Sequence, residues 1–207
     1  MNNLRNKSED DDYRILTEEI NLSSIDLDTK STNEIVKLFS EADKEPQKAV
    51  EQAIPEIVKA IDEITLRLKS NGRLFYIGTG TSGRLGVLDA SECPPTFCTD
   101  PDFVQGLIAG GEASLTRSSE SLEDLSEPAI NDLKDKKFSN RDVLIGITAS
   151  GRTPYVVAAL NYSKSIKALS ISISSVPPCD STFKTDIDIR LMTGPEILAG
   201  STRLKAG

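Results

Sequence analysis

A turn rich in glycine and hydroxyl residues follows an apolar run at residues 73–78 and reads Gly78-Thr-Gly-Thr-Ser-Gly83. The spacing of its glycines, G-x-G-x-x-G, occurs in dinucleotide-binding turns, where the backbone approaches a pyrophosphate at the start of a helix. The same arrangement suits a sugar phosphate, because the N–H groups of a helix N-terminus favour an anion and hydroxyl side chains add donors. The turn alone does not separate these two ligands.

A dinucleotide site also needs an acidic residue at the end of the second strand, about 20 residues further on, to bind the ribose. The second apolar run, residues 103–108, ends instead in Ala109-Gly110-Gly111, and the first acid after it is Glu112. A second turn, Ala149-Ser-Gly-Arg-Thr-Pro154, follows the run at residues 143–148 and places a proline where a helix begins. Two such turns in one sheet predict a site for a compact monophosphate.

The predicted phosphate ligands are hydroxyl side chains and backbone groups of these two turns: Gly80, Thr81, Ser82, Gly83, Ser150, Gly151, Arg152 and Thr153. The alternative for the second turn is local, with Ser150 and Thr153 only capping a helix and Gly151 only serving a tight turn. Arg84 and Arg152 lie beside the turns, and each either contacts the phosphate or pairs with one of the chain's many acidic side chains.

The composition of the 207 residues narrows the possible chemistry. The chain contains no histidine, which excludes Ser-His-Asp and Cys-His catalysis and leaves proton transfer to Glu, Asp, Lys or Tyr. The formal net charge of -8, without a dense Lys/Arg block, argues against a nucleic-acid partner. The three cysteines lack paired metal-ligand spacing, so we expect free, mostly buried thiols and no metal site.

Short β-rich runs alternate with helical segments after Gly72, which predicts an α/β fold: a three-layer α/β/α sandwich around a five-stranded parallel sheet. Apolar residues at three- and four-residue steps predict a long helix over residues 45–70, ahead of the sheet. In such sheets ligands bind at the carboxyl ends of the strands. The two turns are therefore expected to lie at one edge of the sheet.

Three regions are expected along the chain. Residues 1–12 are polar and acidic and predict a disordered tail, residues 13–72 form a helical segment that packs on the core, and residues 73–207 form the phosphosugar-binding domain. No apolar run is long enough to cross a bilayer, and the first residues lack the apolar core of a signal peptide. A soluble cytoplasmic protein without a membrane partner is the resulting expectation.

Three long motifs carry a resemblance to a known family: residues 80–97, residues 149–155 and residues 194–207. The two turns resemble the sugar isomerase (SIS) fold, and the motifs in this order resemble the N-acetylmuramic acid 6-phosphate etherase family. The resemblance extends from about Leu16 to the last residue. It implies removal of D-lactate from N-acetylmuramic acid 6-phosphate by elimination, followed by addition of water to give N-acetylglucosamine 6-phosphate, with no metal or organic cofactor and with a homodimer as the assembly.

The resemblance also assigns two catalytic carboxylates. Glu92, in Ser91-Glu-Cys-Pro-Pro95, aligns with the family's proton donor and is expected at the end of a helix that the prolines stop. Glu123 aligns with the second catalytic glutamate, which we assign as the base that removes the C2 proton. Ser201 and Thr202 are predicted to donate to the sugar, and Glu196 is either a third carboxylate there or the start of a helix.

The chain departs from the family pattern at Thr79, Ser121 and Leu122, where the family usually has smaller residues. Members continue beyond the motif that ends at Gly207, so we expect a shortened chain that lacks a C-terminal helical region. Two other functions share the fold: a non-catalytic sugar-phosphate sensor similar to the glucokinase regulatory protein, and a phosphosugar isomerase. A sensor has no chemical need for Glu92 or Glu123, and an isomerase releases no lactate.

Overall fold

A five-stranded parallel sheet forms the centre of the protein, as the sequence predicts. The computed structural model describes residues 16–117, 124–200 and 202–207. The strands run in the order β2-β1-β3-β4-β5, every neighbouring pair is parallel, and their bounds are β1 Leu74–Gly78, β2 Val104–Ile108, β3 Val143–Ile147, β4 Leu169–Ser174 and β5 Ile187–Arg190. The predicted α/β class and strand number are confirmed.

Six helices accompany the sheet within the described residues: α1 Thr32–Ala42, α2 Lys44–Lys69, α3 Gly80–Phe97, α4 Ala113–Thr116, α5 Glu127–Asp135 and α6 Pro154–Ser165. Short 3-10 turns precede α1 at Leu16–Glu18, Leu22–Ser24 and Leu27–Thr29. α1 begins with a capping box, in which Ser31 and Glu34 each bond to the other's backbone N–H. The helical pattern of residues 121–134 predicts a helix there, and the observed helix α5 begins at Glu127; residues 118–123 lie outside the described part of the chain.

The strands are apolar on both faces because helices cover both faces. Phe75 and Ile77 of β1 are fully buried in a cluster with side chains of α5 and α6, whereas Leu74 joins a cluster with Ala53 and Ala60 of α2 and Ala90 of α3. Successive side chains of a strand point to opposite faces, so a buried parallel strand is apolar throughout rather than alternating. This packing gives the three layers that the sequence predicts.

Asp142 fixes the amino end of β3. Its buried carboxylate accepts hydrogen bonds from the backbone N–H groups of Arg73 and Ser139 at 2.9 and 2.8 Å and forms an ion pair with the Arg73 guanidinium. Burial by itself would raise the pKa of Asp142, but the hydrogen bonds from Arg73 and Ser139 outweigh it and lower the pKa. Asp142 therefore stabilises the sheet at the edge opposite the two turns.

α3 is longer than the sequence predicts. It continues through Pro94 and Pro95 to Phe97, and Cys98 closes it in the left-handed conformation with its N–H bonded to the Pro94 carbonyl. The prolines remove the two backbone donors that would bond to the carbonyls of Ala90 and Ser91, and only Thr96 and Phe97 extend the helix beyond them. Glu92 consequently lies within a helix and not at its end. A second expectation also fails, because Cys98 and Cys179 are exposed.

The order of the strands creates a crevice between β1 and β3. The chain proceeds from β1 outward to β2 and then returns to β3 on the other side of β1. The loops that leave β1 and β3 therefore diverge at their carboxyl ends, which is where open parallel sheets bind ligands. Among the helices in the described part of the chain, none has the length and apolar character that a membrane span requires.

Candidate functional site

An open cavity of about 670 Å³ lies at the carboxyl ends of β1 and β3. Two sets of residues line it. The sheet side consists of residues from the two turns, namely Thr79, Gly80, Thr81, Ser82, Arg84, Thr148, Ala149, Ser150 and Thr153. The outer wall consists of residues from segments outside the sheet, namely Thr17, Glu18, Gly200, Thr202 and Arg203.

The first turn is held by contact between two glycines. A Cβ atom on Gly83 would lie 2.7 Å from the Gly78 carbonyl oxygen, and one on Gly78 would lie 2.6 Å from the Gly83 nitrogen. Gly80 begins α3 with φ of 50°, a backbone conformation that glycine adopts without strain. Thr79 precedes the helix without capping it through its side chain. The N-terminus of α3 therefore directs backbone N–H groups and the hydroxyls of Thr81 and Ser82 to the cavity.

The second turn is held by its own hydroxyl groups. The Oγ1 atoms of Thr148 and Thr153 are 3.0 Å apart, and the backbone N–H of Arg152 donates to Ser150 Oγ at 3.3 Å. Gly151 has φ of 68°, and a Cβ atom there would lie 2.9 Å from Val176. The side chain of Thr153 does not cap α6. Its hydroxyl bonds to Thr148 instead, so the alternative in which Thr153 only caps a helix does not hold.

Pro195 and Glu196 fix the outer wall through hydrogen bonds to the segments that form it. The Glu196 carboxylate is 1% exposed and accepts hydrogen bonds from the backbone N–H groups of Leu204, Lys205 and Ala206. The Pro195 carbonyl accepts from the Asn21 side-chain amide at 3.0 Å. Glu196 therefore supports the wall and does not line the cavity, which corrects its prediction as a carboxylate facing the substrate.

The structure brings together six predicted ligands at the cavity: Gly80, Thr81, Ser82, Ser150, Thr153 and Thr202. Gly83 and Gly151 shape the turns without lining the cavity. Arg152 is a correction to the predicted set. Its Nε donates to the Asp180 carbonyl at 2.6 Å and its guanidinium lies near the Asp180 carboxylate, so the guanidinium is turned away from the cavity toward an acidic partner.

Of the two predicted catalytic glutamates, the structure describes Glu92 but not Glu123. Glu92 is exposed in the second half of α3 and does not line the cavity of its own chain. Gly80 begins the same helix, and the rise per residue of an α-helix separates the two positions by about 18 Å along its axis. Glu123 lies outside the described residues, as does Ser201.

Sequence reasoning missed several lining residues, of which the charged ones matter most. Glu18 and Arg203, which line the outer wall, are the charged residues that were missed, whereas Arg84, already considered as a phosphate contact, lines the sheet side. The Arg84 guanidinium donates to the backbone carbonyls of Ser114 and Leu115, at 2.8 and 3.1 Å, so it fixes the segment after β2. The sequence signals that could have located these two residues are Thr17-Glu18 and Gly200-Ser-Thr-Arg203, which lie inside the stretch that resembles the family.

Two tyrosines are unsuited to act as bases. Burial raises the pKa of Tyr76 far above its ordinary value, and the neighbouring Asp89 carboxylate raises it further. Burial and Asp132 do the same to the pKa of Tyr155, whose hydroxyl donates to Asp132 at 2.6 Å. Both phenols stay protonated near neutral pH. Neither phenol is therefore suited to be a general base.

Comparison with known proteins agrees with this geometry. Residues 56–164 match the family model of the glucokinase regulatory protein N-terminal SIS domain. Among solved structures, phosphoheptose isomerase from Neisseria gonorrhoeae superposes with a TM-score of 0.58 at 17% identity, covering 84% of this chain and 90% of that one. A phosphoheptose isomerase from Francisella tularensis superposes with a TM-score of 0.54 at 15% identity, covering 85% and 90%. These neighbours establish the fold.

Curated relatives extend the match to the whole chain. N-acetylmuramic acid 6-phosphate etherase of Prochlorococcus marinus (strain NATL2A) is 78% identical over 207 residues, which are 100% of this chain and 67% of the relative. The etherase of strain MIT 9303 is 58% identical over 198 residues, 96% of this chain and 63% of the relative. The chain thus spans about two thirds of the length of these relatives. At this identity, the chain belongs to the N-acetylmuramic acid 6-phosphate etherase family, a family of enzymes with the SIS fold.

Proposed function

We propose that the protein acts on N-acetylmuramic acid 6-phosphate and releases D-lactate by elimination, after which water adds to give N-acetylglucosamine 6-phosphate. The observation that carries this proposal is the pair of glycine and hydroxyl turns that face one cavity at the crevice between β1 and β3. The names of the curated relatives support the substrate and the cleavage of an ether, and the elimination route is the part that we propose. The proposed setting is the cytoplasm, in the catabolism or recycling of cell-wall amino sugars.

The substrate's phosphate is proposed to bind on the sheet side of the cavity. Ser82, Ser150 and Thr153 supply hydroxyl donors, and the N-terminus of α3 supplies backbone N–H groups and a favourable dipole. The Glu18 carboxylate in the outer wall would repel a phosphate placed beside it. The outer wall also carries Arg203, so the proposed orientation rests on the donors of the two turns: the phosphate lies on the sheet side and the sugar toward the outer wall, where Thr202 is a proposed donor. Ser201 remains a predicted donor to the sugar.

The proposed reaction needs two groups that exchange protons with the sugar. In the open-chain form, the C1 carbonyl makes the C2 proton acidic. One carboxylate removes that proton, the electron pair forms a C2–C3 double bond, and the C3–O bond breaks as a carboxylic acid protonates the departing lactate oxygen. Water then adds at C3 while a proton returns to C2. We assign Glu123 as the base and Glu92 as the acid.

A second copy of the chain is proposed to bring Glu92 to the reaction. In its own chain Glu92 lies about 18 Å along α3 from the first turn. The neighbouring surface carries half-exposed apolar side chains, which are Val50, Ile54, Val58 and Ile61 of α2 and Leu85 and Leu88 of α3. Exposed apolar patches of this kind are typical of protein interfaces. We propose that a homodimer covers them and brings Glu92 to the partner's cavity.

An enzymatic lactate assay tests the proposal. We expect the protein to release D-lactate from N-acetylmuramic acid 6-phosphate, and Glu92→Gln to lower the rate by about 10²–10⁴-fold, the usual contribution of a general acid. Glu56→Gln, an exposed helical glutamate of α2, is the matched control and should keep the rate. Glu123→Gln should abolish exchange of the C2 proton in heavy water while substrate binding is kept.

The outcomes distinguish the rival functions. Tight sugar-phosphate binding without lactate release by the wild-type protein would favour a sensor similar to the glucokinase regulatory protein, whose SIS domain model the chain also matches. Interconversion of aldose and ketose phosphates without lactate would favour an isomerase. Retained C2 exchange in Glu123→Gln would show that another group is the base.

A further inference from the structure

Among the described residues, Glu196 is the most completely buried carboxylate near the cavity, and the reaction proposed above does not use it. Its side chain is 1% exposed. One oxygen accepts hydrogen bonds from the N–H groups of Leu204 and Ala206, each at 3.2 Å, and the other accepts from Lys205 at 2.9 Å. A carboxylate that receives three converging backbone N–H groups fixes the path of the chain that supplies them.

These hydrogen bonds close the outer wall into a loop. Glu196 and Ala206 are ten residues apart in sequence, and the cavity-lining residues Gly200, Thr202 and Arg203 lie between them. Both ends of the cavity-facing stretch are therefore attached to a single side chain. No helix or strand of the structure contains residues 191–200 or 202–207, so regular backbone hydrogen bonding does not set the position of these described residues.

The adjacent Pro195 carbonyl ties in the other part of the outer wall. It accepts from the Asn21 side-chain amide and from the buried Lys205 ammonium, each at 3.0 Å. Lys205 also forms an ion pair with Glu45 in the first turn of α2. Asn21 caps the 3-10 turn at Leu22–Ser24, four residues after Thr17. Pro195 and Glu196 thus hold both segments that contribute to the outer wall.

We propose that Glu196 is a positioning residue that sets the sugar side of the cavity, and this inference rests on the proposed function. It contacts no substrate atom and acts through the backbone of Leu204–Ala206. The sheet side is independent of it, because glycine contacts and hydroxyl bonds within the two turns hold that side. Loss of the Glu196 carboxylate should therefore weaken recognition of the sugar and leave recognition of the phosphate.

Calorimetric titration of the full chain with two probes, inorganic phosphate and N-acetylglucosamine 6-phosphate, tests the proposal. Glu196→Gln replaces an acceptor oxygen by an amide donor that faces N–H groups. We expect the Kd for N-acetylglucosamine 6-phosphate to rise at least tenfold and the Kd for inorganic phosphate to change less than threefold. Asp142→Asn is the matched control: a buried carboxylate that also accepts backbone N–H groups, but at the opposite edge of the sheet. Both its Kd values should change less than twofold.

Amide hydrogen exchange of the wild-type protein gives a second readout, which needs no variant to fold. N-acetylglucosamine 6-phosphate should slow exchange at residues 204–206, and inorganic phosphate should not. An unchanged Kd for the sugar phosphate in folded Glu196→Gln, an equal loss of both ligands, or equal protection by both ligands would overturn the inference. A wild-type protein that binds neither ligand would overturn the proposed function as well, so the two failures are distinguishable.

Discussion

The two sides of the cavity are built in different ways. The sheet side follows directly from strands β1 and β3, and its turns are fixed by contacts between residues a few positions apart, such as Gly78 with Gly83 and Thr148 with Thr153. The outer wall comes from segments far apart in sequence, and Asn21 reaches Pro195 across 174 positions. A preformed anion site is thus combined with a wall that depends on long-range side-chain contacts. We propose that the phosphate binds the sheet side and the sugar the outer wall.

The substitution with the largest predicted effect disrupts the first turn, on the sheet side of the cavity. In Gly83→Ala, the new Cβ would lie 2.7 Å from both the Gly78 oxygen and the Ile108 side chain, so the first turn must move away from β1. We expect the Kd for inorganic phosphate to rise at least 100-fold and the free energy of unfolding to fall by about 1–3 kcal/mol. Calorimetric titration and chemical denaturation measure the two effects.

The control for this variant is Gly111→Ala. Gly111 also has a positive φ, 64°, but no atom lies within 4 Å of an added Cβ. Its substitution should cost about 1–2 kcal/mol of backbone strain and leave phosphate binding unchanged. Equal losses of phosphate binding in both variants would mean that the tight contact of Gly78 with Gly83 does not form the anion site.

This side of the cavity could be predicted from the sequence because its signals are local. Apolar runs of strand length predict the strands, and the glycine and hydroxyl residues after them predict the turns at the carboxyl ends of β1 and β3. Gly80, Ser82, Ser150 and Thr153 were named on that basis, and all four line the cavity. For Arg152 the sequence leaves two alternatives open, and the structure shows the pairing with an acidic residue, Asp180, which lies 28 positions away.

The outer wall was less predictable for a physical reason. No periodicity marks Glu18 or Arg203, since neither follows a strand and their positions depend on hydrogen bonds between distant segments. The role of Glu196 depends on three N–H groups that only the folded chain brings to one carboxylate. The sequence also predicts too early an end for α3, because the helix continues through Pro94 and Pro95 to Phe97 although both prolines lack a backbone donor.

Two substitutions of smaller effect, Ser150→Ala and Thr202→Ala, test the two sides of the cavity separately. Ser150→Ala removes a hydroxyl on the sheet side and should weaken inorganic phosphate and N-acetylglucosamine 6-phosphate alike, by about 10–100-fold for a hydrogen bond to a charged group. Thr202→Ala removes a hydroxyl of the outer wall and should weaken only the sugar phosphate, by about fivefold for a neutral hydrogen bond. Titration of both variants with both ligands gives the four constants. A loss of inorganic phosphate binding in Thr202→Ala would contradict the division of roles.

The smallest effect concerns the arginine of the second turn. The Arg152 guanidinium is directed to the Asp180 carbonyl and carboxylate and does not line the cavity. Arg152→Ala should change the Kd for inorganic phosphate less than twofold, because no cavity contact is removed. Titration of Arg152→Lys with inorganic phosphate shows whether the positive charge alone, without the guanidinium shape, is sufficient. A tenfold weakening in Arg152→Ala with recovery in Arg152→Lys would show that this cation turns toward the bound phosphate.

The most direct test of the central claim is a crystal structure of the protein with N-acetylglucosamine 6-phosphate. The phosphate is predicted to lie within hydrogen-bond distance of Ser82 Oγ and Ser150 Oγ at the N-terminus of α3, with the sugar toward Thr202. A phosphate bound at the outer wall, or at any site away from the two turns, would contradict the account.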